Sequence, residues 1–566
     1  MTPPRPATDD RAVLVLGPNP TPNGGMHLGH IAGPYLAGDV YARYQRARGR
    51  DVVFSTGTDD SQTFVTTTAR RRGIDPEELC RASTAEIQEA LSAIGISVDG
   101  FGPFDETYQA TVLDYFRRLH AAGTFRRKTV RLPYLERTGE FLVEGLVEGD
   151  CPVCLTVCRG GLCETCNHPN NFDQLIDPHY TLDPAQKPGY REANILVLPL
   201  EEHRDRLTAY HEAWMPYWRP HLAQMIREVL DRPLPDVPIT YPLDWGMPAP
   251  FPETPGQVLN AWLELIPAGM YTTSYAAGQR TGPQLPPAAL WRVEENRRMV
   301  HFLGFDNAFF FCFPHLAMLM AHGDGYIRPE WIINNEFYEL ESEKFSTSKG
   351  NVVTCQEILR EVPRDVVRLY LALTAPEHQR TTFSRAGLSK VAQDRLVGPW
   401  NRLAGALGKA VANAASGAAA WLPVSTAARG RAATMLDRFG VFYEMPSYSL
   451  NRAADTILVH IDRLANRAAA LDGLDIDVES EAFGDLFLEV KALLAGAAPI
   501  LIDLTAAVAA DPGSEFDGDL TAGAFDTPAV KPFTPPLLST GVPATQPAAG
   551  TSGAAAAAGG AVAPGR

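Results

Sequence analysis

His27 and His30 stand three apart in the stretch Asn-Gly-Gly-Met-His-Leu-Gly-His, residues 23–30, directly after a run of turn-forming residues. On a helix this spacing puts both imidazoles on nearly the same face, and Gly29 between them lets a ligand approach the backbone closely. A helix N-terminus already favours anions through its free N–H groups and its dipole. Two imidazoles there could hold phosphate oxygens, most usefully where charge develops in phosphoryl or nucleotidyl transfer. Taken alone, the pattern also fits a metal-binding pair or two surface histidines. Far downstream, residues 343–351 read Glu-Lys-Phe-Ser-Thr-Ser-Lys-Gly-Asn. Lys344, Ser346, Thr347, Ser348 and Lys349 make that stretch a donor-rich loop suited to a pyrophosphate leaving group, although a solvated polar loop would look the same.

The third group is sulfur. The chain has 8 cysteines in 566 residues, too few for a disulfide scaffold, and five of them fall within residues 151–166. Cys151 and Cys154, then Cys163 and Cys166, form two C-x-x-C knuckles, each able to offer two thiolates to one tetrahedral Zn²⁺. Cys158 is the spare, and buried unligated thiols are the alternative. Four thiolates leave no open coordination position, so the expected Zn²⁺ serves folding rather than chemistry.

These residues must be positioned by a larger frame. The length predicts two to four domains, and 45% hydrophobic with 20% charged residues is an ordinary globular composition. No apolar run approaches the ~18–20 residues that span a bilayer, and the opening Met-Thr-Pro-Pro-Arg-Pro lacks the apolar stretch of a signal peptide, so no membrane partner and a cytoplasmic location are expected. The formal charge of −16 argues against wholesale coating of nucleic acid and leaves a local RNA contact open. Strand-like runs such as Ala12-Val-Leu-Val-Leu16 alternate with helix-like stretches up to about residue 110, the rhythm of a parallel α/β sheet. That rhythm breaks over 115–240 and resumes from Tyr241 to about Pro376. An α/β domain with an insertion therefore fits: 1–115 and 241–385 as its halves, 116–240 as the insertion. Residues 386–510 read as a helical bundle, with Ile457, Leu458, Ile461, Leu464, Ala465, Ala468 and Leu471 on one buried face. From Asp511 to 566 Pro, Gly, Ala, Thr and Ser dominate, and a disordered low-complexity tail is expected.

Taken together, His-Leu-Gly-His after the first strand and Lys-Phe-Ser-Thr-Ser downstream resemble the two signatures of class I aminoacyl-tRNA synthetases. The stretches at 56–73, 244–250, 259–271, 301–311, 314–319 and 364–372 narrow the resemblance to methionyl-tRNA synthetases, in order over roughly residues 12–380. It implies a Rossmann-like parallel sheet with a zinc-knuckle insertion, and an enzyme that uses ATP with Mg²⁺ to make an acyl-adenylate. In the matching positions His27, Gly29, His30, Lys344, Ser346, Thr347, Ser348 and Lys349 would bind ATP, with His27, His30 and Lys344 acting in catalysis. Asp59 would receive the substrate's α-amino group, and Thr21, Trp262, Leu265, Phe311 and His315 would shape the amino-acid pocket.

The departures gather where specificity is read. Thr21 follows Pro20 where the family has tyrosine; Trp262-Leu-Glu-Leu-Ile266 replaces Trp-x-Asp-Ala-Pro; Phe311 and His315 replace a histidine and a tryptophan. Thr347 replaces the second loop lysine, with Lys349 two residues on. One methylene in such a pocket is worth about 1–3 kcal/mol, so several changes together suggest an amino acid other than methionine. The helical region lacks the family's Asn-x-Tyr and Pro-Trp elements. It carries 9 Lys and Arg against 12 Asp and Glu between 401 and 510, a formal −3, unlike a surface that holds RNA backbone. Three readings stand: a methionine–tRNA ligase, an adenylating relative that hands its acyl group to a small-molecule amine or hydroxylamine in specialised metabolism, and a non-catalytic binding paralogue. The retained phosphate site disfavours the last, and the altered pocket and helical surface favour the second. The amino acid, the acceptor and the oligomeric state are not legible.

Overall fold

The structure, a computed structural model, describes residues 9–541 apart from 171, 341–342, 345–352, 415–420 and 522, with backbone only at 172, 343 and 344. Its centre is a parallel sheet whose strands lie in the order Trp331–Asn335, Arg298–Gly304, Val13–Leu16, Val52–Gly57, Gly100–Gly102. The first strand pairs with Val52–Gly57 on one side and Arg298–Gly304 on the other, both in parallel. Val13, Leu14, Val15 and Leu16 are all buried, as a central strand covered on both faces requires. The chain leaves this strand toward one edge of the sheet and later returns to build the other edge. The order therefore reverses beside the first strand, and ligands in open α/β sheets bind at the carboxyl ends flanking such a point.

Helix Pro76–Ile94 shows how local sequence sets these boundaries. Asp75 caps it, accepting from the N–H groups of Glu77 and Glu78, with proline at the first position. Gly95 ends it at φ +79°, and a Cβ there would lie 2.4 Å from Ile502 Cδ1, so both the left-handed turn and the close approach require glycine. Around this corner Arg368, fully buried, donates to the carbonyls of Ile94, Gly95, Pro499 and Ile500 and, at 2.6 Å, to the buried Asp39. One satisfied ion pair thus ties the first long helix (Leu36–Ala47), the helix Arg364–Leu373 and the C-terminal helices together.

The expected break after residue 115 is an antiparallel layer. Arg126–Leu135 pairs with Gly189–Pro199, and three short strands, Val147–Asp150, Val157–Arg159 and Ile176–Tyr180, frame the cysteine knuckles. This layer has its own small core, in which Cys151, Cys158 and Cys163 pack with Leu132, Ile195 and Val197. The described residues of 398–509 form five helices, among them Leu450–Ala470, which buries the expected face from Ile457 to Ala468 while Leu471 is half-buried. No described helix is long and apolar enough to cross a membrane.

The tail corrects the sequence reading between Asp511 and Gly541. Phe516, Leu520, Val530 and Phe533 are buried, and each such side chain contributes about 1.5–3 kcal/mol over its exposed state. Val530 pairs with Leu422, Leu520 N–H donates to the Ala47 carbonyl, and Trp400 Nε1 donates 2.8 Å to the Pro536 carbonyl. Sparse apolar residues at irregular spacings show no sustained period, so composition hides a strap that packs across three other elements. Residues 542–566 lie outside the described residues.

Candidate active site

The first strand ends in the loop that carries the histidine pair, at the carboxyl edge beside the reversal point. His27 is half-buried and caps the short helix Leu28–His30: its Nδ1 accepts from Gly29 N–H at 3.1 Å. His30, exposed, accepts the His27 backbone N–H on its own Nδ1 at 3.3 Å. The two rings stack with centroids 3.9 Å apart and planes 24° apart. Because both Nδ1 atoms act as acceptors, each neutral ring carries its proton on Nε2. The backbone alone therefore selects the tautomer that offers two parallel Nε2–H donors.

Of the downstream loop, Ser346, Thr347, Ser348 and Lys349 lie outside the described residues, but both flanks are placed. Glu343–Lys344 pairs as a short strand with Tyr338–Leu340. On the other side, Leu28 N–H donates 3.0 Å to the Val353 carbonyl, and Thr354 bridges to His27. The helix Cys355–Glu361 begins there with a capping box of Thr354 and Glu357, which fixes the exit of the loop. The histidine turn is thus joined by backbone contacts to the residues that follow the second motif, more than three hundred positions away.

Asp59 is buried at the end of the second strand, its N–H donating 3.1 Å to the Pro20 carbonyl in the loop that also holds Thr21. Its Oδ2 accepts from Gln62 Nε2 at 2.7 Å, and Oδ1 has no hydrogen-bond partner among the described residues. Burial, then the nearby Glu264, hold its pKa well above the carboxylate range. Glu264 is itself buried, accepts from Ser61 Oγ at 2.9 Å and is pushed up to about 8 by burial. Glu144 lies in the same region, buried and likewise pushed up to about 8. Among the described residues, these acids share a site with little positive charge of its own, an environment that suits a bound ammonium.

Trp262 and Phe310 stack face to face, centroids 4.7 Å apart and 2° between planes. His315 Nε2 hydrogen-bonds the Trp262 carbonyl at 2.7 Å, and Phe311 stands edge-on to both His315 and His301. Burial lowers His315 to about 4 and His301 to about 3, so both are neutral at ordinary pH. Leu265 is buried one turn along the helix from Trp262. The contacts therefore join Trp262, Phe311 and His315 directly. Among the described residues Thr21 shows a backbone contact alone, its carbonyl accepting from Asn23 N–H. A cavity of about 870 Å³ lies between the insertion and the Trp262–Phe310 pair. His301 and Phe310 fall within the stretch 301–311 without being named for the pocket, and Glu144 lies in no motif, because long-range packing brings them here. Only the position of Phe310 beside Phe311 could have signalled it.

In the insertion, ligand atoms of Cys151, Cys154, Cys163 and Cys166 all lie within 4.8 Å of one another, a donor set that fits tetrahedral Zn²⁺. Cys158 stays outside that group, as the spacing implies.

A model of the family described as tRNA synthetases class I (M) matches residues 13–405. The methionine–tRNA ligase of Christiangramia forsetii is 33% identical over 370 residues, covering 64% of this chain and 53% of that protein. That of Salinibacter ruber is 33% identical over 401 residues, covering 68% of this chain and 55% of that protein. The chain thus spans about half the length of these curated relatives. The crystal structure of Mycobacterium tuberculosis methionyl-tRNA synthetase bound by methionyl-adenylate superposes with a TM-score of 0.71 at 20% identity, over 93% of this chain and 99% of that one, a likeness of fold. With Val353 and Thr354, just past the second motif, held against the histidine turn of the first and the family model matching across both halves, this chain belongs to the class I tRNA synthetases of the methionyl type.

Proposed function

We propose that the chain activates an amino acid with ATP and passes the acyl group to tRNA, methionine being the amino acid its relatives' names favour. The observation that supports this reading is the backbone junction of Leu28 with Val353 and of His27 with Thr354, the residues at which the chain leaves the lysine-serine stretch. In the first step a carboxylate oxygen of the amino acid attacks the α-phosphorus of ATP; the new O–P bond forms as the bond to pyrophosphate breaks. The Nε2–H donors of His27 and His30, with Gly29 between them, would hold phosphate oxygens as charge builds. Lys344, Ser346, Thr347, Ser348 and Lys349 would steady the departing pyrophosphate, with Mg²⁺ accompanying the nucleotide. Asp59 would take the α-ammonium, and Trp262, Leu265, Phe311 and His315 would enclose the side chain, with Thr21 beside the entrance.

In the second step a hydroxyl of the acceptor attacks the acyl carbonyl and AMP leaves. Zn²⁺ held by Cys151, Cys154, Cys163 and Cys166 would stabilise the insertion and take no part in either step. On this reading 1–115 and 241–385 form the catalytic domain around the insertion 116–240, with 386–510 as the helical domain.

A second reading, transfer to a small-molecule amine or hydroxylamine, is favoured by one observation. Three arginines of the helical region, Arg431, Arg463 and Arg467, all converge on the buried Glu489, so their charge is already engaged in a surface that is formally negative overall. The relatives give that reading no support. Aminoacylation of total tRNA with labelled methionine separates the two: charging supports the tRNA reading, and adenylate formation without charging overturns it.

A further inference from the structure

The turn that closes the second cysteine knuckle reaches the amino-acid pocket through one side chain. Asn167 follows Cys166, is fully buried, and sits at φ +55°, a left-handed conformation that asparagine tolerates. Its N–H donates to the Cys163 carbonyl at 2.8 Å, closing the turn. Its side chain points away from the sulfurs: Nδ2 donates 2.6 Å to the Phe305 carbonyl, and Oδ1 accepts the Phe309 N–H. Phe309 lies in the first turn of the short helix Ala308–Cys312, whose own N-cap residue, Asn307, provides no side-chain cap. A helix start leaves its first N–H groups without intrahelical partners, so the knuckle caps this helix from outside. The same helix carries Phe310, stacked on Trp262, and Phe311, edge-on to His301 and His315. The next residue of the knuckle, His168, is buried and places its Nε2 3.3 Å from a carboxylate oxygen of Glu228 in helix Pro220–Leu230.

We propose that Asn167 is a positioning residue, through which the cysteine knuckle sets the placement of the pocket helix Ala308–Cys312 and hence the affinity for the amino acid. The two hydrogen bonds clamp the end of the strand Arg298–Gly304 and the start of this helix at once. A knuckle turn loosened by loss of metal would release both together. The inference rests on the adenylation reading for its kinetic arm only.

Asn167→Gly is the discriminating substitution, because glycine keeps the left-handed turn and removes only the side-chain bonds. The full chain, wild type and variant, is compared by ATP–pyrophosphate exchange, zinc content and hydrogen exchange of residues 305–313. The expected result is unchanged zinc, an amino-acid KM raised roughly tenfold with the ATP KM held, and faster exchange of the Phe309 amide. Asn167→Asp, which keeps the acceptor toward Phe309, should recover part of the amino-acid KM. Stripping zinc with a chelator should speed Phe309 exchange in the wild type and add little in Asn167→Gly, since coupled perturbations are not additive. Equal chelator effects in both proteins, or a variant with wild-type KM and wild-type Phe309 protection, overturn the proposal. A wild-type protein that exchanges with no amino acid removes the adenylation reading, while the Phe309 amide still decides the clamp.

Discussion

Replacing either histidine of the pair by asparagine and by glutamine should separate what its two ring nitrogens do. Asparagine places its carboxamide oxygen near the position of Nδ1 and can still accept the Gly29 or His27 N–H, bonds of 3.1 and 3.3 Å in the structure. It cannot reach the position of Nε2. Glutamine does the reverse, offering an N–H near Nε2 at the cost of the local cap. If Nε2–H holds phosphate charge in the transition state, His27→Asn or His30→Asn should lose one preorganised donor, about 2.7–4 kcal/mol, and slow exchange by about 10²–10³. The glutamine variants should keep most of the rate, and alanine, losing cap and donor together, should also destabilise the helix start by about 1 kcal/mol. Because the rings stack at 3.9 Å, the double asparagine variant should cost less than the sum of the two single variants. The assay is ATP–pyrophosphate exchange at saturating amino acid, with thermal unfolding as the control for fold. Asparagine variants at the wild-type rate, or glutamine variants as slow as asparagine, refute the tautomer argument.

Elemental analysis should find one Zn²⁺ per chain; Cys163→Ser should release it and Cys158→Ser should not, and a metal-free protein with a folded insertion contradicts the Cys₄ site. Asp39→Asn should destabilise the fold by about 3–5 kcal/mol, since it strands the buried Arg368 charge, and unfolding at neutral pH measures it. Burial acts to raise Asp39, but Arg368 and Arg43 prevail and hold its pKa below the ordinary value. That contribution is therefore complete above about pH 4 and is lost as the pH falls through the lowered value, so wild type and variant should converge in acid. Amino-acid binding should ionise Asp59, whose pKa burial and Glu264 raise in the free protein. Calorimetry in buffers of different ionisation enthalpy, run across a pH series, should report net proton release on binding, and an enthalpy independent of buffer throughout the series counts against Asp59 as the ammonium site.

The parts of this protein that are legible in sequence are those whose information is local. The strand Val13–Leu16, the histidine turn, the knuckles and the face of Leu450–Ala470 each sit within a window of twenty residues or fewer. What could not be read depends on distant contacts. Glu264 appears in sequence only as a replacement; its burial beside Asp59 follows from the way its helix crosses the second and third strands. Asn167 looks like a turn residue until its side chain is seen to cap a helix 142 positions away. The strap from Asp511 to Gly541 fails for a different reason: its apolar residues are sparse and aperiodic, and their burial is supplied by Ala47, Trp400 and Leu422 rather than by neighbours in the strap.

The claim that the two motifs form one nucleotide site for amino-acid activation is tested most directly by ATP–pyrophosphate exchange across a panel of amino acids, with His30→Asn as the control. Exchange that depends on an amino acid, is strongest with methionine and falls about 10²–10³ in the control is the predicted result. Absence of exchange with every amino acid, or exchange that the control leaves unchanged, would contradict it.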